Sequence, residues 1–231
     1  MALPAAVHPL QPRFAQAITG ALCLEGAVFQ TKPAIVVALI LVLLSLAGPR
    51  WSPVGWVFRQ IAPPAAQLEP AAPPRFAQGM AAVFLAVALV LFAVGFDVAG
   101  WILTGLVAAV ALFSSISGIC VGCEVYRLLL AGRRGGDGDV RADLGLEGRG
   151  PWLVVLTAPG CTRCEPVARQ MESAAGDREV LRVSLVEHPR AASLPVRSVP
   201  AALAVGGDGR VRMARAGRLD ASDLEQVLAA V

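Results

Sequence analysis

Most of the cysteines in this chain form two Cys-x-x-Cys pairs that stand in different settings. Cys120 and Cys123 end a long apolar stretch, whereas Cys161 and Cys164 follow a short apolar run and open a more polar tail. Two thiols at this spacing can form a disulfide and exchange it with a second dithiol through a mixed disulfide. The pattern therefore favours movement of electrons, or of sulfur, between two sites.

The residues of the second pair predict distinct roles. We expect Cys161 to begin a helix, where the dipole and the first amides stabilise a thiolate, and Arg163 adds a cation between the sulfurs. Cys161 is thus predicted to attack, and Cys164 to resolve the mixed disulfide. The alternative is a structural zinc site, but the tail offers only His188 as a further ligand, and we predict no metal.

The first pair is expected at the end of a helix, on which residues three apart share a face. Gly118 and Gly122 permit close backbone packing there, or a break in the helix. The alternatives for Cys120 and Cys123 are small interface residues or palmitoylation sites. Cys23 is interpreted as a small buried side chain rather than a third redox thiol.

The composition indicates an integral membrane protein with a charged tail. The chain is 56% hydrophobic and 16% charged, with a mean hydropathy of +0.64. Residues 1–134 hold eight basic and four acidic side chains, and residues 135–231 hold twelve and thirteen. We interpret the net charge of +3 as a matter of membrane topology, and we predict no nucleic-acid partner.

A repeat organises the apolar half of the chain. The sequence Pro-Arg-Phe-Ala-Gln at residues 12–16 recurs at residues 74–78, and each copy opens an apolar segment. We therefore predict two tandem helical hairpins of the same orientation, at about 12–60 and 74–128, in a four-helix transmembrane domain over residues 1–130. Apolar segments are predicted at 14–30, 33–48, 76–96 and 98–119, with a short interfacial helix at 51–61.

Basic residues predict the orientation of these spans. Lys32 is the single basic residue on one side, and seven arginines lie on the other: Arg13, Arg50, Arg59, Arg75, Arg127, Arg133 and Arg134. The positive-inside rule places the seven, both termini and the tail in the cytoplasm of a bacterial inner membrane. Glu25 lies within the first span, where a carboxylate is costly; a proton or substrate role and snorkelling to water both remain open.

The remainder divides into a tether and an α/β domain. Glycines make residues 131–150 a predicted flexible linker. Residues 151–231 predict strands at 152–157, 179–186, 201–205 and 210–215, and helices at 161–175 and 220–231.

Residues 151–231 resemble the thioredoxin-like superfamily. A dithiol between the first strand and first helix, with Val199-Pro200 before a later strand, carries this resemblance. It implies that Cys161 and Cys164 are the redox pair and that Pro200 follows a cis bond beside them. Gly160 stands where the superfamily keeps a tryptophan, Thr-Arg replaces Gly-Pro between the cysteines, and Val155 replaces a buried acid, so a dedicated partner is implied.

Residues 12–130 resemble an uncharacterised bacterial family of four-helix membrane proteins, a domain of unknown function. The Arg-Phe-x-Gln openings and the Gly-x-Cys-x-Gly-Cys ending carry the resemblance. It implies topology and no activity. An analogy of fold with quinone-linked thiol oxidoreductases leaves a quinone as an open cofactor.

The fold class predicted is thus a membrane all-α four-helix bundle plus a C-terminal α/β thioredoxin-like domain. The predicted function is thiol–disulfide exchange between the two cysteine pairs, with the lipid bilayer and a protein dithiol or a small thiol or sulfur compound as partners. A protein that transfers or transports a sulfur species, such as a persulfide or thiosulfate, is the first alternative, and a water-lined path near Glu25 would favour it. A quinone-sized pocket beside Cys120 would favour electron transfer. A non-enzymatic anchor for the tail is the second alternative. No oligomeric state is predicted.

Overall fold

The computed structural model describes residues 6–131, 138–188, 190–191, 194, 196 and 198–231. The chain forms two compact units. Unit 1 comprises Leu10–Ala62 and Pro73–Leu128, and unit 2 comprises Pro63–Ala72 and Leu129–Val231 with the N-terminal segment that ends at Pro9. The sequence predicts that the segment between the two hairpins belongs to the membrane domain, whereas the structure places Pro63–Ala72 in unit 2.

Unit 1 is helical: α1 Leu10–Phe29, α2 Lys32–Ala47, α3 Pro53–Ile61, α4 Ala72–Ala93, α5 Asp97–Ser117 and α6 Val121–Ala131. Proline begins α3 because the first helical position needs no backbone N–H. Ser52 caps the same helix by accepting a hydrogen bond of 2.9 Å from the amide of Gly55. The four predicted apolar segments correspond to α1, α2, α4 and α5.

On helix α5 the buried side chains include polar ones and the exposed side chains are large and apolar, the reverse of a helix in water. Thr104 and Ser114 are buried, while Ile102 and Ile116 are 69% and 85% exposed. Small and weakly polar residues toward neighbouring helices, with large apolar ones outside, are typical of helices surrounded by lipid. By length and composition α4 and α5 could each cross a membrane, and α2 is a shorter apolar helix.

Matched aromatic contacts accompany the sequence repeat. Phe14 of α1 packs on Phe58 of α3 with ring centroids 5.6 Å apart, and Phe76 of α4 packs on Tyr126 of α6 at 5.5 Å. The first and third helices of each half are thus joined in the same way.

Unit 2 contains a four-stranded mixed sheet. Its elements are β1 Ala6–Val7, β2 Glu69–Pro70, α7 Arg141–Leu144, β3 Trp152–Thr157, α8 Cys164–Ala175, β4 Val180–Ser184, β5 Ala201–Val205, β6 Val211–Ala216 and α9 Ala221–Ala229. The strand order is β4-β3-β5-β6, with β3 parallel to β4 and the other pairs antiparallel. The bounds of β3 and β5 are those predicted from the sequence.

Strand β3 is buried on both faces because layers pack on each side of the sheet. Val154 and Leu156 belong to one apolar cluster, whereas Leu153 and Val155 belong to the other, which contains α8 and α9. Alternate side chains of a strand point to opposite faces, so a continuous apolar run suits this position. The strand therefore fixes the place of the cysteine pair that follows it.

The predicted flexible linker is largely folded where the structure describes it. Val140, Leu144 and Leu146 are buried in a core cluster of unit 2. Asp139 accepts hydrogen bonds from Arg141, which lower its pKa to about 2. Three apolar side chains among the glycines gain more by packing than by solvation. Residues 132–137 of the predicted linker lie outside the described residues.

Candidate functional site

Cys161 and Cys164 occupy the turn between β3 and the first residue of α8. Their sulfurs are at disulfide distance, with Cα atoms 5.5 Å apart. Cys164 is only 5% exposed, whereas Cys161 is partly exposed. Helix α8 begins at Cys164, so the prediction that Cys161 begins it was wrong; Cys161 lies in the preceding turn. The leading sulfur is still the accessible one of the pair.

Gly160 explains one departure from the resembled superfamily. Its φ is +83°, a left-handed conformation that is costly for residues with a side chain. A tryptophan in this backbone would be strained. The glycine therefore belongs to the geometry of the turn that presents Cys161.

The Cys161 sulfur lies between two backbone carbonyls. It is 3.8 Å from the oxygen of Val199 and 3.7 Å from the oxygen of Ala66. The Val199–Pro200 bond is cis, as the resemblance implied. Pro200 and Cys161 thus meet at one site of unit 2.

Arg163 is exposed at the N-cap position of α8. None of the hydrogen bonds or ion pairs among the described residues joins its side chain to the sulfurs, and its role as a cation beside them stays a prediction. The charges nearest in sequence form a different cluster. Arg182 of β4 pairs with Glu165 and Glu172 of α8 at 2.8 and 2.6 Å, and hydrogen bonds from arginines lower the pKa of both carboxyls. This cluster fastens α8 to the sheet.

Cys120 and Cys123 also lie at disulfide distance, with Cα atoms 5.1 Å apart. The prediction that they end the last span was wrong. Helix α5 stops at Ser117, and Gly118 terminates it in the left-handed conformation at φ +75°. Cys120 immediately precedes a separate helix, α6, and Cys123 lies in its first turn.

Two N–H groups face the sulfur of Cys120. The backbone amide of Cys123 lies 3.2 Å away, and the side-chain amide of Gln16 lies 3.6 Å away. After reduction, such donors would stabilise a thiolate. Cys123 is 6% exposed and Cys120 is partly exposed, so the leading cysteine is again the accessible one.

Glycines bring other helices close to this pair. A Cβ on Gly122 would lie 2.6 Å from that of Ala77, so α6 and α4 are in backbone-close contact. The guanidinium of Arg13 packs against Gly118 in a similar way. The pair is therefore held by residues of α1 and α4, at the openings of the two repeats.

A cavity of about 260 Å³ lies within unit 1 beside the pair. Its lining is mostly apolar and includes Gly122, Gln16, Ser45 and Ser114. Gln16 therefore contacts both the cavity and the Cys120 sulfur. Sequence reasoning treated Gln16 only as part of the repeat; its recurrence as Gln78 was the available signal.

Two other candidates lie apart from this geometry. Glu25 is exposed near the turn between α1 and α2, where it accepts a hydrogen bond of 3.1 Å from Thr31, and it does not line the cavity. Cys23 is fully buried, which confirms its interpretation as a buried side chain.

Gln16→Ala is expected to slow alkylation of reduced Cys120 several-fold, because the thiolate loses one of two donors, each worth about 1 kcal/mol. The measurement is the rate of iodoacetamide labelling of Cys120 in the reduced chain, by mass spectrometry. The matched control is Gln78→Ala, the repeat counterpart, which lines the same cavity but has no hydrogen bond to Cys120 among those of the described residues, so the rate should be unchanged. Equal slowing in both variants would contradict a specific role for Gln16.

A comparison with protein families matches the first part of the chain. The model of a family described as a domain of unknown function, DUF4395, matches residues 7–131. No curated protein matches the chain.

Proposed function

The chain belongs to the DUF4395 family, a domain of unknown function, and we propose that it works as a membrane-bound thiol–disulfide oxidoreductase. One observation carries the proposal: both pairs are at disulfide distance and share one design. In each, a partly exposed cysteine precedes a helix and a buried cysteine lies in its first turn. Such pairs suit attack by the first sulfur and resolution by the second.

The exchange that we propose balances within the chain. The Cys161 thiolate attacks the sulfur of Cys120, the disulfide of that pair breaks, and Cys123 leaves as a thiolate and takes a proton. The Cys164 thiolate then attacks Cys161 and releases Cys120. Two electrons and two protons have moved, one pair is oxidised and the other reduced, and the reverse sequence is equally allowed.

The fold of unit 2 supports a thioredoxin-like assignment. A mixed sheet with β3 at its centre, the dithiol after that strand and a cis proline beside Cys161 are the features that the resemblance implied. We propose that the helices of unit 1 form a four-helix bundle in a bacterial inner membrane. The seven arginines named above support a cytoplasmic location for both termini and for unit 2.

The cavity supports electron transfer over movement of sulfur. It lies beside Cys120 and is lined mostly by apolar side chains, with five polar residues: Gln16, Thr19, Ser45, Gln78 and Ser114. An apolar carrier with carbonyl oxygens, such as a quinone, fits that chemistry, because its oxygens could accept hydrogen bonds from the amides and hydroxyls. A path for a sulfur species near Glu25 has no such support.

A cross-linking experiment tests the proposal. In a Cys123→Ser, Cys164→Ser double variant with Cys23→Ala, the two leading thiols are expected to form a Cys120–Cys161 disulfide when treated with diamide, which accepts the two electrons. Non-reducing electrophoresis and mass spectrometry of the linked peptide measure it in dilute detergent solution.

The matched control removes the other cysteine of the first pair, Cys120 instead of Cys123. Cys120→Ser, Cys164→Ser keeps Cys123, which is 6% exposed, and we expect much less cross-link to Cys161. If neither variant links the two pairs while Cys161 still reacts with added disulfides, the chain is an anchor for unit 2, and the proposal fails.

A further inference from the structure

The segment Pro63–Ala72, called here the strap, pairs with the backbone beside the Cys161 site. The amide of Leu68 donates to the oxygen of Val199 at 3.0 Å, and the amide of Val199 donates to the oxygen of Leu68 at 2.8 Å. This is an antiparallel bridge at the residue that precedes the cis proline. The strap thus adds an extended peptide to the edge of the site.

The strap also contacts the turn that contains the dithiol. The oxygen of Ala65 accepts hydrogen bonds from the amide and the hydroxyl of Thr162, at 3.2 and 3.3 Å. The next carbonyl, of Ala66, is the one that lies 3.7 Å from the Cys161 sulfur. Residues 65–68 therefore pass over the reactive sulfur and are held by main-chain contacts on both sides of it.

Burial and a second strand hold the strap in place. Ala65 and Leu68 are each 9% exposed and belong to the core cluster that includes Cys164. On the other edge, Ala6 and Val7 pair with β2 inside the strap. Main-chain hydrogen bonds with pockets for alternate side chains are the usual way in which a protein binds an extended peptide.

We infer that the strap is a tethered competitor, which occupies the surface that Thr162 and Val199 form around Cys161 and keeps an extended peptide partner from that surface. The strap contains no cysteine, so it cannot exchange with Cys161 and acts as a competitor. The partner that fits is a protein segment in extended conformation with a cysteine at the place of Ala66. The inference rests on the proposed function only in taking Cys161 as the reacting thiol.

Because the strap competes for the site, we expect peptides to react with Cys161 more slowly than they would if the site were open. An occupied site lowers the apparent affinity for a partner in proportion to the fraction of chains in which the site is open. Small probes, which need none of the main-chain contacts, should be affected less. The difference between the peptide rate and the small-probe rate therefore measures how far the strap blocks the site.

The test uses the full chain with Cys161 as its sole cysteine, through Cys23→Ala, Cys120→Ser, Cys123→Ser and Cys164→Ser. The probe is the capped peptide Ala-Cys-Gln-Leu with thionitrobenzoate on its cysteine. The Cys161 thiolate attacks the peptide sulfur, a new disulfide forms, and thionitrobenzoate leaves and is followed by its absorbance. No other oxidant is needed.

Leu68→Pro removes the N–H that bonds to Val199 and should accelerate the peptide reaction about tenfold, as loss of one to two backbone hydrogen bonds implies. Replacement of residues 64–68 by glycine and serine at constant length should act in the same direction if the proline variant does not fold. Gln67→Ala keeps the backbone contacts and should leave the rate unchanged. The rate with iodoacetamide should change less than the peptide rate in every variant.

Folded strap variants with an unchanged or slower peptide rate would overturn the inference. The result is separable from the proposed function. Faster peptide reaction without a Cys120–Cys161 cross-link would keep the strap as an occupant and reject the internal electron path. A cross-link without any effect of the strap would do the opposite.

Discussion

Cys161→Ser is expected to stop the passage of electrons between the two cysteine pairs, with a fall in rate of at least roughly 10³-fold, as for loss of a nucleophile. A serine hydroxyl is not ionised at neutral pH and cannot attack a disulfide. Cys164 cannot replace it, because this sulfur is only 5% exposed in the first turn of α8. The measurement is the time course with which the one thiol left in the second pair forms a mixed disulfide with the oxidised Cys120–Cys123 pair, after acid quench and alkylation. Cys164→Ser, which keeps Cys161, is the reference.

The control for this variant is Cys23→Ala, which removes the one cysteine outside the pairs. Cys23 is fully buried in a core cluster of unit 1 that contains none of the paired cysteines, so adding Cys23→Ala to Cys164→Ser should leave the rate of the mixed disulfide unchanged. If the mixed disulfide formed readily after Cys161→Ser and not after Cys164→Ser, the assigned roles of the two sulfurs would be reversed.

Local patterns were sufficient to predict much of unit 2. Strand β3 follows from a continuous apolar run of strand length, and β5 from a similar run after Val199-Pro200. Both signals arise because a central strand is buried on both faces, and an unbroken run of apolar residues is the sequence pattern of such a strand. The spacing of Cys161 and Cys164 likewise needs no distant residue to be interpreted.

Features that depend on distant residues escaped sequence reasoning. Gly118 could have served close packing or a helix break, and only its φ of +75° shows that α5 ends there. The contact of Gln16 with Cys120 joins residues from the two ends of unit 1. The bridge of Leu68 to Val199 joins a proline-rich loop to a strand edge, and no periodicity marks such a contact.

The two disulfide sites share the order of a partly exposed and a buried cysteine, but they differ in the polar groups around the leading sulfur. Cys161 meets backbone carbonyls, which accept hydrogen bonds and would accept from a thiol, whereas Cys120 meets the amides of Cys123 and Gln16, which donate. Donors favour a thiolate, and a thiolate that is more stable is a better leaving group. The two leading sulfurs therefore differ in the hydrogen-bonding groups that surround them, donors at Cys120 and acceptors at Cys161.

Gly122→Val is expected to displace the first cysteine pair while the reactivity of the second pair stays unchanged. A Cβ at this position would lie 2.6 Å from the Cβ and 2.9 Å from the Cα of Ala77, so α6 must move away from α4. Over-packing of this kind costs about 1–3 kcal/mol. Because Cys120 and Cys123 flank Gly122, electron transfer between the pairs should fall roughly 10- to 100-fold, as for a small misplacement of reacting groups.

Gly105→Val supplies the matched control, because Gly105 lies inside α5 and a Cβ there meets no atom within 4 Å. Both variants change the helix propensity in the same way, so a shared loss of rate would point to helix formation rather than to packing. Iodoacetamide labelling of Cys161 should be equal in the two variants, since Gly122 lies in unit 1 and Cys161 in unit 2. If Gly122→Val left electron transfer intact, the close contact of α6 with α4 would not be what positions the first pair for exchange. The contacts that α1 and α4 make with this pair would then stabilise the fold without affecting its reactivity.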